Sequence, residues 1–189
     1  MAALPIRRYD GEVCLVESAH ELARVQADLR QETVVGFDTE TRPSFRKGEV
    51  HLPALVQVAT ARTVYLFRLR AADAPAAVAG ILEEAGLIKA GIGLADDLRA
   101  LAQVFAFEAR SMLDLGAVAK RNGFRQTGVR NLAGMVLGTR VPKGAQTSNW
   151  AARQLTPAQV TYAATDAWIC RELFLRFQAL GYLSAPPEG

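Results

Sequence analysis

The chain has 189 residues, of which half are apolar and 22% are charged. This composition predicts one domain over residues 1–189 with a sizeable core, and it excludes an intrinsically disordered chain. No apolar run reaches the roughly 20 residues of a membrane span, and the N-terminus has no apolar leader. We therefore expect a cytoplasmic protein with no membrane partner and two free, buried thiols, Cys14 and Cys170. The net charge of +3 decides little about partners by itself.

The first half of the chain predicts strands with one helix between them. Ser18 and Glu21 have the spacing of a capping box and begin a helix that extends to about Leu29. Residues 33–41 are nearly continuously apolar, which is typical of a strand in the centre of a sheet. The strands are predicted over 11–16, 33–41, 54–60 and 63–69. The last two are separated only by Ala61 and Arg62, which predicts a hairpin.

The second half predicts helices alternating with short strands. Thr156, Pro157 and Gln159 combine an N-cap, a first-turn proline and a capping-box partner, so a long helix begins there and ends at Gly181. The other elements are a helix over 75–85, a strand over 87–92, a helix over 94–107, a strand over 111–113, helices over 114–121 and 131–137, and a loop over 141–150. This order predicts an α/β fold in which helices flank a mixed central sheet.

Asp38 and Glu40 end the predicted central strand. Side chains two residues apart lie on the same face of a strand. The two carboxylates therefore repel each other unless a cation lies between them. A solvated strand end is the simpler explanation of this pair when it is taken alone.

Asp96 and Asp97 lie in the first turn of the helix predicted from Leu94. Residues three and four apart are neighbours on a helix, so Asp97 borders the buried stripe while Asp96 faces Arg99. A favourable interaction with the helix dipole explains Asp96 well. It explains the inward-facing Asp97 less well, which makes Asp97 a candidate functional residue.

Tyr162 and Asp166 are four residues apart on the last predicted helix and therefore share one face. Cys170 continues that face toward the core. An aspartate in a buried helix interior is disfavoured both by propensity and by desolvation. A hydroxyl–carboxylate pair that satisfies both groups is the alternative to a functional site.

The three segments together resemble a known family in their order and in their flanking residues. They are Gly36-Phe37-Asp38-Thr39-Glu40 followed by Leu55-Val56-Gln57-Val58, then Lys89-Ala90-Gly91-Ile92-Gly93 before Asp97, and finally Ser148-Asn149-Trp150 before Tyr162-Ala163-Ala164-Thr165-Asp166. This pattern is similar to the DEDD exonuclease superfamily, in the DEDDy subgroup with a tyrosine in the last motif. The resemblance to the exonuclease domains of ribonuclease D and the Werner-syndrome helicase covers about residues 33–176.

The resemblance implies a ribonuclease H-like fold and 3′-to-5′ exonuclease activity on DNA or RNA, with release of nucleoside 5′-monophosphates from the 3′ end. It implies two divalent cations, Mg²⁺ or Mn²⁺, as cofactors, and oxygen ligands suit both ions. The implied metal and catalytic acids are Asp38, Glu40, Asp97 and Asp166, with Asp97 acting mainly through ordered water. Tyr162 would orient the attacking water. No nucleotide cofactor is expected, because the chain has neither a P-loop nor the third glycine of a dinucleotide fingerprint.

Nucleic-acid contacts are predicted at six residues: Thr39, Arg42, Phe45, Leu94, Lys143 and Ser148. Thr39 and Leu94 lie beside the acids. Arg42 and Phe45 belong to a basic, aromatic loop that can follow phosphates and stack a base. Ordinary solvated loops explain the contacts outside the acid motifs equally well. Trp150 is expected in the core rather than under a base.

Two other classes of function remain open from the sequence. A catalytically silent nucleic-acid-binding module would keep the fold, and loss of any metal acid would favour it. A structural adaptor would not require inward-facing acids. All four acids and Tyr162 are present, which favours the enzyme.

Overall fold

The computed structural model describes residues 4–184. The strands are β1 (Glu12–Val16), β2 (Val34–Thr41), β3 (Pro53–Ala59), β4 (Thr63–Arg68), β5 (Ile88–Gly91) and β6 (Met112–Asp114). The helices are α1 (Ala19–Leu29), α2 (Ala74–Glu83), α3 (Leu94–Leu101), α4 (Leu115–Arg121), α5 (Val129–Val136) and α6 (Pro157–Ala179). With one exception, the predicted elements agree with these to within two residues at each end.

The strands form one mixed sheet in the order β1-β4-β3-β2-β5-β6. Antiparallel pairing joins β4 to β3 and β3 to β2, whereas β1–β4, β2–β5 and β5–β6 pair in parallel. The predicted β3–β4 hairpin and the central position of β2 are therefore confirmed. Because β2 lies between β3 and β5, its C-terminal end is surrounded by other elements.

Helices cover both faces of the sheet, and β2 contributes side chains to each. Val35 and Phe37 pack in a core formed with α1, α2 and α3. The alternate residues of β2 face α6, whose buried side chains pack on β3 and β4 through residues such as Ala163 and Leu66. The acids at the end of β2 therefore lie on the α6 side of the sheet.

A glycine allows α6 to approach the sheet closely. A Cβ atom at Gly36 would collide with the carbonyl oxygen of Ala167, which is backbone and has no rotamer to change. Ala167 directly follows Asp166 in α6, and Gly36 lies two residues before Asp38 in β2. The close contact of these two backbones brings the two acids together.

The structure confirms the helix ends that the local sequence signals predict. The capping boxes at Ser18 and Thr156 are both complete, and Asp114 caps α4 by accepting hydrogen bonds from the backbone N–H groups of Gly116 and Ala117. Gly181 follows α6 with a φ of +73°, a left-handed conformation that favours glycine. Side-chain chemistry near each end is sufficient to set these boundaries.

The prediction of one helix over 94–107 was wrong, because α3 ends at Leu101. After it, the backbone N–H groups of Val104 and Phe105 both bond to the Leu101 carbonyl, as in a turn. Phe105 and Phe107 pack against each other and onto the core around α1, α2 and α3. Phe105 and Phe107, which extended the predicted helix, are therefore packed on the core after a turn and not along a longer helix.

Two further expectations are confirmed. Cys14 and Cys170 are buried free thiols, and Trp150 is only 2% exposed within the core. Among residues 4–184, no helix has both the length and the apolar composition needed to cross a bilayer.

Candidate active site

Three of the predicted acids converge where β2 ends against α6. One carboxylate oxygen from each of Asp38, Glu40 and Asp166 lies within 4.8 Å of the other two. We call these three residues the acid cluster. Glu40 and Asp166 are buried, whereas Asp38 is partly exposed, so the cluster opens to solvent on the Asp38 side.

Asp97 lies beside the acid cluster and is held by the next residue of β2. The Thr39 hydroxyl donates a hydrogen bond of 2.7 Å to the Asp97 carboxylate. Because side chains alternate along a strand, Thr39 points away from the face that carries Asp38 and Glu40. Asp97 therefore reaches the site from the α3 side and is not one of the three acids within 4.8 Å of one another.

The position of Asp97 depends on Asp114, which sequence reasoning assigned only to α4. The second carboxylate oxygen of Asp114 accepts hydrogen bonds from the backbone N–H groups of Gly93 and Leu94 at the start of α3, at 3.0 and 3.1 Å. One aspartate thus caps two helices. The first turn of α3, which carries Asp97, is fixed to the end of β6.

Crowding and burial raise the pKa values of these acids in the absence of a cation. Desolvation, followed by the charges of Asp166 and Asp97, raises the pKa of Asp38 well above its ordinary value. Desolvation and the charge of Asp38 raise the pKa of Glu40 to about 9. Desolvation raises the pKa of Asp166 to about 6, although the Tyr162 hydroxyl and Arg130 oppose this shift. Such coupled carboxylates are typical of functional sites.

Unsatisfied polar atoms lie in the same place. Within the described part of the chain, the buried Oδ1 atom of Asp166 has no hydrogen-bond partner, and neither has either polar side-chain atom of the fully buried Gln57. Gln57 pairs with Asp38 across β2 and β3, so it shares the face of the acids. Buried groups without partners are rare and costly. Together with an oxygen-only donor set, they fit a small, hard divalent cation bound by the acid cluster.

Tyr162 lies one turn before Asp166 on α6, as the sequence predicted. Its ring packs against Trp150, with 5.9 Å between the ring centroids. Its hydroxyl oxygen accepts a hydrogen bond of 2.9 Å from the Nη2 atom of Arg130. Desolvation, followed by the charge of Asp166, raises the pKa of Tyr162 above its usual value, so the hydroxyl keeps its proton.

Sequence reasoning missed Arg130. This residue lies in the first turn of α5, far from every acid in the sequence, and it reaches the site because α5 packs against α6. No motif or spacing in the chain indicates this contact. Its charge lowers the pKa values of Glu40 and Asp166, against the larger effect of burial.

The predicted substrate contacts fall into different environments. Leu94 is 3% exposed and packs in the core as the first residue of α3, so its contact with a nucleotide stays a prediction. Thr39 is occupied by its bond to Asp97. Arg42 is exposed, and Phe45 is 77% exposed, which is unusual for an aromatic ring.

A cavity of about 510 Å³ adjoins Tyr162. Ser148 lines it, together with Arg8 and Thr161, and Lys143 is exposed in the same loop. Asp96, by contrast, faces solvent and forms an ion pair of 2.7 Å with Arg99, as its position on the helix predicted. Asp96 therefore has no part in the site.

Comparisons with known proteins agree with this arrangement. The family model described as 3′-5′ exonuclease matches residues 13–181. The chain belongs to the 3′-5′ exonuclease family. The expectation drawn from the three acidic motifs is therefore confirmed at the level of the family.

Two curated relatives in this family are much longer than the chain. The chain is 28% identical over 188 residues to the mouse (Mus musculus) bifunctional 3′-5′ exonuclease/ATP-dependent helicase WRN. This alignment covers 94% of the chain and 13% of the relative. The chain is 29% identical over 164 residues to ribonuclease D of Gluconacetobacter diazotrophicus, covering 85% of the chain and 41% of the relative. The chain thus spans less than half the length of either relative.

A solved exonuclease domain has the same fold. The Nibbler EXO domain of Aedes aegypti superposes with a TM-score of 0.79 at 25% identity, covering 98% of this chain and 96% of that one. This agreement over nearly the whole of both chains confirms the expected α/β, ribonuclease H-like fold with a mixed central sheet.

Proposed function

We propose that this member of the 3′-5′ exonuclease family is a metal-dependent enzyme that removes nucleotides one at a time from the 3′ end of DNA or RNA. The observation that carries the proposal is the acid cluster: three carboxylates within 4.8 Å of one another, two of them buried. A chain that only bound nucleic acid would gain nothing from this repulsion, which costs stability.

Two divalent cations, Mg²⁺ or Mn²⁺, are the proposed cofactors, and when bound they supply an activated water and stabilise the leaving oxygen. Asp38, Glu40 and Asp166 would hold the first cation, and Asp38 would extend to the second. Asp97 would act beside the second cation through ordered water, since its carboxylate lies outside the acid cluster and bonds to Thr39.

Tyr162 is the proposed group that orients the attacking water. Its hydroxyl lies on the same face of α6 as Asp166, and the raised pKa keeps it a hydrogen-bond donor at neutral pH. Orientation by a fixed donor lowers the barrier because the water no longer has to be ordered during reaction. No strong side-chain base is needed at this position.

The proposed substrate is a single strand that enters along two exposed loops. The loop with Arg42 and Phe45 offers a cation and an exposed ring for phosphate and base contacts. The cavity beside Tyr162, with Ser148 in its wall and Lys143 nearby, offers room for the nucleotide next to the reacting one. Motif flanks similar to the Werner-syndrome helicase favour DNA slightly, while the ribonuclease D resemblance supports RNA.

End-labelled substrates test this proposal. The protein is incubated with 5′-labelled single-stranded DNA, a recessed duplex or RNA, in Mg²⁺, Mn²⁺ or EDTA. We expect a ladder that shortens from the 3′ end with either metal and no reaction in EDTA. Asp38→Ala should abolish the ladder, and Asp96→Ala should leave it intact, because Asp96 is exposed and forms its ion pair with Arg99.

Three results would contradict the proposal. Degradation that continues in EDTA would exclude a metal-dependent site. Equal activity of the parent and Asp38→Ala would show that the acid cluster is not the site of hydrolysis. Binding to single strands without any shortening would instead support the silent module.

A further inference from the structure

Arg130 lies half-buried beside the proposed active site, at a local cost to stability. It occupies the first turn of α5, where the helix dipole disfavours a positive charge, and α5 begins at Gly128 without a side-chain cap. Its Nε atom is buried and has no hydrogen-bond partner among residues 4–184. Both features destabilise the fold slightly, so neither helix stability nor satisfied packing explains this residue.

Among the residues that the structure describes, the side chain of Arg130 hydrogen-bonds only to Tyr162. Its Nη2 atom donates to the hydroxyl oxygen at 2.9 Å. Within residues 4–184, Arg130 is in no ion pair, although its charge is felt by both Glu40 and Asp166. The guanidinium therefore approaches the acids without binding any of them, and it engages the neutral hydroxyl instead.

The direction of this bond has a chemical consequence. A phenol has one hydrogen to donate and oxygen lone pairs that accept. When a guanidinium occupies an acceptor position, the single phenolic hydrogen must be donated elsewhere, because arginine cannot accept it. The acceptors available on the other side are the acid cluster and any water bound there.

We propose that Arg130 is a positioning residue: by holding the Tyr162 oxygen, it directs the phenolic hydrogen toward the attacking water. This inference rests on the proposed exonuclease function and adds to it a residue from α5 that no acidic motif contains. Arg130 does not touch the substrate in this role, and it acts through Tyr162. Its removal should therefore slow the reaction step rather than weaken substrate binding.

Steady-state kinetics with a matched control test the inference. Arg130→Met should lower kcat by about ten- to a hundredfold, with KM within about twofold of the parent, because a misplaced donor impairs the reacting geometry alone. Arg130→Lys should recover part of the loss. The control is Arg171→Met. Like Arg130, Arg171 is half-buried and its Nε atom has no partner among residues 4–184, but its guanidinium bonds to Glu32, away from the site. Arg171→Met should keep the parental kcat.

A double-mutant cycle separates positioning from a direct role. If Arg130 acts through the hydroxyl, Arg130→Met should cost no more than about twofold in the Tyr162→Phe background. Independent, multiplicative losses would overturn the inference, as would an unchanged kcat in Arg130→Met. A rise in KM alone would also overturn it, since that result assigns Arg130 to substrate binding.

A spectroscopic measurement without metal completes the test. The chain has four tyrosines, so ¹³Cζ-labelled tyrosine gives few signals, and Tyr162→Phe assigns the relevant one. In EDTA, Arg130→Met should shift that signal and Arg171→Met should not; an unmoved signal would overturn the inference. A parent protein that is inactive with both metals would refute the exonuclease proposal itself, whereas an active parent with an equally active Arg130→Met refutes only the role of Arg130.

Discussion

At the scale of single residues, the site combines groups that each weaken the metal-free protein. Glu40 and Asp166 are almost fully buried acids, and Gln57 is a fully buried amide with no partner. A fold optimised only for stability would replace them with apolar side chains. Their presence together at one point is the strongest physical argument that the acid cluster serves a ligand.

The raised pKa of Glu40 gives a prediction about pH and stability. Between its ordinary value near 4.5 and about 9, the folded protein holds a proton that the unfolded chain releases. The free energy of unfolding of the metal-free protein therefore falls as pH rises through this window. In Glu40→Gln this group does not titrate, so in EDTA the variant should gain about 1 to 3 kcal/mol over the parent between pH 5 and pH 8.

Denaturant unfolding at the two pH values measures this difference. Asp96→Asn is the control, because Asp96 is exposed and should show no such gain. A constant difference between Glu40→Gln and the parent from pH 5 to pH 8 would contradict the assigned electrostatics. In saturating Mn²⁺ the parent should instead have the larger free energy of unfolding, because the cation stabilises only the folded protein that has its full set of ligands.

At the scale of elements, the site depends on how closely α6 lies on β2. Gly36 and the backbone of Ala167 touch without room for a methyl group. This contact sets the separation between Asp38 on the strand and Asp166 on the helix. The helix itself is defined locally by its capping box and first-turn proline.

Gly36→Ala should therefore damage both stability and activity. The added methyl group meets the Ala167 carbonyl, so α6 must move away from β2. We expect a loss of about 1 to 3 kcal/mol in the free energy of unfolding and a fall in kcat. Gly80→Ala, in an exposed part of α2 with open space around the new Cβ, is the control and should keep parental activity. If Gly36→Ala matches the parent in both properties, the close approach does not position the acids.

Elements were predictable where a local signal defines them. The capping residues Ser18, Asp114 and Thr156 marked helix starts, and the two-residue connection marked the hairpin. The length of α3 was not predictable, because Phe105 and Phe107 lie beyond a turn and still bury their apolar side chains against each other and the core. Periodicity alone cannot distinguish that outcome from a longer helix.

At the scale of the whole molecule, chemistry and contacts were predictable to different degrees. The acids could be identified because the three motifs that carry them resemble a known family in their order and flanking residues, whereas each motif taken alone had another explanation. Arg130 and the second role of Asp114 could not, since both arise from packing between elements that are distant in the chain. The burial of Leu94 also follows from that packing rather than from its place next to the acids.

The whole fold serves to bring three segments to one opening. The end of β2, the first turn of α3 and the middle of α6 meet there. Asp114 at the end of β6 bonds to the start of α3, and Arg130 of α5 bonds to Tyr162 of α6. The central claim is that this meeting point binds the divalent cations that the reaction requires.

Anomalous scattering from Mn²⁺-soaked crystals tests that claim most directly, with a nucleoside 5′-monophosphate present to complete the site. The account predicts two peaks about 3.5–4 Å apart, one of them bound by oxygens of Asp38, Glu40 and Asp166. Both peaks should disappear in Asp38→Ala. Manganese bound only elsewhere on the protein, or none at the acid cluster at millimolar concentration, would contradict the account.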